Sequence, residues 1–178
     1  EKWTFEELES RVKQIAYVDG NQDEHKSTSE TYGLIGLRGS EACDGFLYGF
    51  DLKLTETDED GYHTVVSEPA MLEKMNTAMA KIKALFELPM AWKTLDTMDH
   101  IKIFQQGQAA FNIDVIYHHA PGNALMRDMS DTYGILPIPK YDTNQTEYYS
   151  GVQDVHNTMS LMKRNDMNYE AASATLEL

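Results

Sequence analysis

Cysteine is nearly missing from this sequence, with one residue in 178. Cys43 can form no internal disulfide, so the chain must be held by its hydrophobic core. A nucleophilic Cys43 would need a histidine partner in space and is not expected. Basic residues are scarce too: 15 Lys and Arg stand against 29 Asp and Glu, for a formal charge of −14. A surface of that sign repels nucleic acid and anionic lipid, so no nucleic-acid partner is expected. The acids are spread along the chain, as on a solvated face. No apolar run approaches the roughly 20 residues that cross a bilayer. The opening Glu1-Lys2-Trp3 lacks the charged-then-apolar pattern of a secretory leader. There is no Gly-x-Ser-x-Gly elbow, phosphate-binding Gly-Lys loop, His-Glu-x-x-His helix or cysteine pair. Binding is therefore favoured over catalysis.

What is present is an alternation of helical and extended patterns over a length suited to one domain, residues 1–178. Thr4 and Glu7 have capping-box spacing, and Phe5, Leu8, Val12 and Ile15 follow at helical intervals. The polar segment Asp19 to Thr31 reads as a solvated loop. Asp19, Asn21, Asp23, Ser27 and Glu30 match calcium-loop offsets, but Glu24 stands where such loops need glycine. Thr31 to Leu37 predicts a central strand. Ser40 is a plausible cap for a helix through Phe46 and Phe50. Residues 51–66 predict a hairpin around Asp60-Gly61. After Pro69, the stripe Leu72, Met75, Met79, Ile82, Phe86 predicts a helix with one packing face. Trp92 is placed in a loop, as a hydrophobic anchor or, less favoured, a sugar-stacking platform. Asp96 or Thr97 can cap a helix through Met98, Ile101 and Phe104, with His100 expected to be exposed on it.

The stretch Gly107 to Tyr141 organises the rest. Ala109 to Ile116 predicts a buried strand, Pro121 to Met129 a short helix, and Tyr133-Gly134-Ile135-Leu136 a second strand. Such α/β units place ligands at the carboxyl ends of their strands, here Tyr117-His118-His119. Tyr117 either stacks on a ligand or packs on the neighbouring helix. On an extended chain His118 and His119 point opposite ways and cannot share one ion, so no metal or cofactor is expected. Tyr148 to Val152 and Val155 to Met162 predict further extended runs, and Asn165 or Asp166 can cap a last helix.

The order of Trp3-Thr4-Phe5-Glu6-Glu7-Leu8, Asp19-Gly20-Asn21, Thr31-Tyr32-Gly33-Leu34, Gly107-x-Ala109-Ala110-Phe111, Met126-Arg127-Asp128-Met129, Tyr133 to Asp142 and Gln145-x-x-Tyr148-Tyr149 resembles the second lobe of extracellular solute-binding proteins. These are the carbohydrate-type receptors of ABC importers. The resemblance implies an α/β lobe with a mostly parallel sheet flanked by helices. It also implies a periplasmic-binding-protein-like fold, of which this chain is a partial second lobe. The function it implies is non-enzymatic capture of a sugar or oligosaccharide between two hinged lobes. Its implied partners are the first lobe of the same receptor and an ABC transporter permease. An extracellular location follows, as a cell-surface lipoprotein or a periplasmic protein, with Leu178 an internal break in a longer chain. Candidate ligand-binding residues are Gly39, Ser40, Glu41, Phe46, Tyr117, His118 and Tyr149. Two other readings stand beside this one: a carbohydrate-acting hydrolase with a carboxylate pair, and a protein-interaction module using the Met-rich helix at 71–86.

Overall fold

Thr4 starts the first helix by the mechanism its sequence predicts. Its side-chain oxygen accepts from the Glu7 amide at 3.3 Å, and α1 (Phe5–Gln14) buries Phe5, Leu8 and Val12. The structure, a computed structural model, describes residues 3–20, 25–37, 41–94, 98–119, 125–152, 168 and 170–171. Behind α1 lies β1 (Tyr32–Gly36), in which every residue is buried. Full burial on both faces explains why this strand reads as a continuous apolar run without alternation.

β1 is the centre of a three-stranded parallel sheet of order β4-β1-β5, flanked by β4 (Ala91–Lys93) and β5 (Ala109–Ile113). Leu34 pairs with Ala91 on one side and Phe111 on the other; Gly36 pairs with Lys93 and Ile113. Three helices and a hairpin fill the connections: α2 (Glu41–Gly49), β2 (Thr55–Thr57) with β3 (His63–Val65), α3 (Pro69–Phe86) and α4 (Asp99–Gln105). One core joins Leu34 and Ala91 to α1, α2 and α3 through Phe5, Val12, Phe46 and Ile82. A second joins Tyr32 and Ile35 to Ile101, Ile103 and Phe104 of α4. The chain is therefore α/β, a parallel sheet with helices against it, as expected.

Several local expectations fail, each for a tertiary reason. Trp92 lies in β4, not a loop; it pairs with Ile35, and its ring stacks on Tyr32 at 5.4 Å. On α3 the expected stripe holds in part: Ile82 is buried and Met75 and Phe86 pack against the core, but Leu72 and Met79 are 42% and 46% exposed and Ala78 and Leu85 take the other buried positions. Small Ala78 lets the helix approach closely, so the packing face is rotated from the Leu72–Met79 line. His100 is not exposed but fully buried. Tyr133 to Leu136 forms no strand, and Ile135 and Leu136 remain exposed. That segment is instead anchored further on, where Lys140 bridges Thr4 and Trp3 Nε1 donates to the Pro137 carbonyl at 2.9 Å. Tyr148 to Val152 is likewise not a strand. Asp96 and Thr97, the predicted helix start at Pro121, residues 155–162, and Asn165 and Asp166 lie outside the described residues.

Glu30 gives the polar loop a structural role. Its buried carboxylate accepts from Tyr17 Oη at 2.9 Å, Ser27 N at 3.0 Å, Ser27 Oγ at 2.9 Å and the Tyr32 hydroxyl. An oxygen proposed for calcium is thus saturated by protein donors; Asn21 and Asp23 lie outside the described residues. Burial alone would raise this carboxyl, but the Tyr32, Ser27 and Tyr17 donors outweigh it and hold it below its ordinary 4.5. A group lowered on folding stabilises the fold above its unfolded value and ceases to do so as pH falls through its folded one. Glu30→Gln is expected to cost about 2 kcal/mol at neutral pH. It should also flatten the acid side of the stability curve in urea titrations between neutral and acid pH. An unchanged pH dependence would contradict this role.

Candidate functional site

Alternation along β5 decides which residues meet at the carboxyl edge of the sheet. Phe111 and Ile113 pack into the core around Leu34 and Phe46, so Asn112 and the following Asp114 turn to the opposite face. That face is covered by α4, whose second residue is His100. Past Asp114 the chain tightens into a 3₁₀ turn, Ile116–His119. Successive residues there diverge by about 120° rather than 180°. His118 and His119 consequently both reach back to Asp114, contrary to the extended-chain expectation.

The result is three imidazoles around one carboxylate. His118 Nδ1 lies 2.7 Å from Asp114 Oδ1, His100 Nε2 lies 3.3 Å from the same oxygen, and His119 Nε2 lies 3.9 Å from Oδ2. The Val115 amide also donates to Oδ1 at 2.8 Å. The His100 and Asp114 side chains are 0% and 2% exposed, whereas His118 keeps 17% of its surface. The contacts differ in quality. His118 makes a hydrogen bond, but the His100 ring is misaligned at its 3.3 Å distance. Among the described residues, both ring nitrogens of His100, Asp114 Oδ2, His119 Nδ1 and both polar atoms of the Asn112 amide are buried without a hydrogen-bond partner. Burial would raise the Asp114 carboxyl; His100, His118 and the Val115 amide more than offset that and keep it below the usual range.

The residues singled out from the sequence divide among several places. Tyr117 belongs to the edge group, 66% exposed with its ring centroid 5.8 Å from that of His118. Glu41 is the first residue of α2, the helix that follows β1 from the same edge. Gly39 and Ser40 lie outside the described residues. Phe46 is buried in the core, edge-on to Phe5 at 5.6 Å, and presents no face to a solute. Tyr149 is half-exposed near Gly151, which lies against Tyr48 in the last turn of α2, so it belongs with the far end of that helix. Trp92 is committed to Tyr32. Burial pushes the Cys43 thiol up, against the pull of Lys93, which leaves it protonated near neutral pH. Sequence reasoning placed His119 at the strand end but not against Asp114, and missed His100 and Asp114 altogether as site residues. The available signal was Asp114 directly after an apolar strand, four residues before His118.

Family models, curated proteins and solved structures yield no match to this chain. No helix among the described residues is long and apolar enough to cross a membrane. The class of protein defined here is therefore an α/β domain with a polar, partly buried cluster at the carboxyl edge of a parallel sheet.

Tyr117 and Trp92 should respond oppositely to truncation. Tyr117→Ala is expected to leave stability within about 0.5 kcal/mol, as for an exposed side chain. Trp92→Ala should cost about 3 kcal/mol through the cavity beside Tyr32. Denaturant titration of both variants checks the assignment, and equal losses would refute it.

Proposed function

We propose that this chain is one lobe of a bilobal solute-binding protein that captures a small hydroxyl-rich solute, a sugar or oligosaccharide. One observation carries the reading: β1 and β5 end side by side, with Gly36 opposite Ile113, so the paths to α2 and to Tyr117 leave a single edge. Ligands of open α/β sheets sit in the crevice beyond such an edge. An exposed tyrosine offers a flat face to the C–H groups of a pyranose, and His118 beside it offers a hydrogen-bonding rim. Gly36 supports the geometry, because a Cβ there would lie 2.9 Å from the Cβ of Ala42 and push α2 off the strand. The resemblance in motif order points the same way. On this reading the remaining wall of the cleft comes from the first lobe of the same receptor. Closure is then read by an ABC transporter permease outside the cytoplasm, at a cell surface or in a periplasm.

A carboxylate-dyad hydrolase fits less well. Glu30 precedes the start of β1 and Asp114 follows the end of β5, which pairs with it in parallel. Seven residues of strand register therefore separate these two buried acids, about 23 Å along the sheet. Glycosidase dyads span roughly 5 to 9.5 Å. For the interaction module, α3 offers Leu72 and Met79 as its exposed apolar residues, while Ile82 and Leu85 are committed to the core.

A single lobe supplies half a cleft, so a dissociation constant of about 1 mM or weaker is expected. Amide chemical shifts of the protein titrated with maltose and raffinose provide the test. Perturbations are expected at Tyr117, His118 and the first turn of α2, diminished by Tyr117→Ala. Perturbations centred on the β2–β3 hairpin, or turnover of aryl-glycosides, would overturn the proposal.

A further inference from the structure

We propose that His100, Asp114 and His118 form a binding site for a divalent first-row transition metal ion, with zinc as the type. The inference stands on this cluster alone and does not depend on the solute-binding reading. One ligand atom from each of the three residues lies within 4.8 Å of the other two. Around an ion bound at about 2.0 to 2.2 Å, nitrogen and oxygen ligands stand roughly 3 to 3.5 Å apart. The His100–Asp114 separation of 3.3 Å already meets that spacing. The His118–Asp114 separation of 2.7 Å is a hydrogen bond that widens by a small ring movement when an ion takes the proton's place.

Unpartnered atoms argue that a ligand is missing from the balance. A buried polar group with no partner costs about 1 to 3 kcal/mol. Here both His100 nitrogens and Asp114 Oδ2 are in that state on side chains 0% and 2% exposed. No hydrogen bond within the cluster can satisfy them all, because Asp114 Oδ1 already accepts from Val115 N and His118 Nδ1. A cation held by Asp114 Oδ1 uses one imidazole lone pair from His100 and one from His118, and so partners one of the two buried His100 nitrogens. Asp114 is held ionised, as a ligand must be.

Ligand chemistry chooses the metal. Two imidazoles and one carboxylate suit Zn²⁺, Co²⁺ or Ni²⁺, whereas Ca²⁺ and Mg²⁺ require oxygen-dominated sites. Three protein ligands leave a coordination position for water or solute. His118, partly exposed, provides the way in. His119 Nε2 lies 3.9 Å from Asp114 Oδ2, beyond hydrogen-bond distance, and is not counted among the ligands. The three ligands come from α4, the end of β5 and the 3₁₀ turn, so an ion would tie α4 to the sheet edge.

The test uses protein stripped with a chelator and dialysed. Zinc titration by calorimetry is expected to give one saturable high-affinity site and a higher thermal midpoint, and Co²⁺ to give visible d–d absorption. His118→Ala should weaken zinc binding at least about a hundredfold, since removing even an outer-sphere partner costs about ten- to a hundredfold. His63→Ala, on the exposed hairpin, should leave it unchanged. Paramagnetic broadening by Co²⁺ on the unmodified protein removes dependence on variant folding: amides of His100, Asp114 and His118 should broaden first. Absence of saturable binding, equal loss in both variants, or broadening centred on the acidic Asp58–Asp60 turn would each overturn the site.

Discussion

Burial of β1 on every side is the constraint on which the rest depends. A strand with no solvent face must have both edges paired and both faces covered, and β4, β5 and the two helix layers meet those four demands. The parallel pairing then dictates the connections. Each crossover must return the chain to the starting edge, which sends a helix back along the sheet and brings every carboxyl end out together. Gly36, Lys93 and Ile113 lie in register at that edge. The polar cluster follows because Asp114 is the next residue of alternating direction beyond Asn112.

Charge is distributed unevenly in consequence. The net charge is −14, and most of the acids among the described residues are exposed, where water solvates them at little cost. Among the described residues two carboxylates are instead drawn inside, and they are handled differently. Glu30, at the amino edge, is saturated by hydroxyl and amide donors and knits the Tyr17–Ser27–Tyr32 corner together. Asp114, at the carboxyl edge, faces three imidazoles and keeps an oxygen without a partner. A saturated carboxylate belongs to a structural network, whereas a buried one with an unpartnered oxygen carries a desolvation cost that calls for its own explanation.

Elements defined by local chemistry were legible in the sequence. Thr4 capping, Pro69 at a helix start, the Asp-Gly turn of the hairpin and the apolar run of β1 each act within a few residues of themselves. Elements defined by their neighbours were not. β4 spans three residues, too short for any period to show, and exists because β1 offers it an edge. Ile135 and Leu136 have strand-forming side chains but no strand to pair with, and stay exposed. His100 looked like a solvent-facing polar residue on α4 until β5 supplied an aspartate opposite it. His118 and His119 were misjudged through an assumed extended backbone, where a 3₁₀ turn changes the angle between consecutive side chains. Of the candidate site, Tyr117 and His118 were found from the strand-end rule. Asp114 and His100 required the sheet register, which no local pattern encodes.

That register is directly measurable. Long-range nuclear Overhauser contacts between backbone protons should link Leu34 to both Ala91 and Phe111, and Gly36 to both Lys93 and Ile113. Contacts to only one neighbouring strand, or a one-residue slip that turned Asn112 and Asp114 into the Leu34–Phe46 core, would contradict the account at its base.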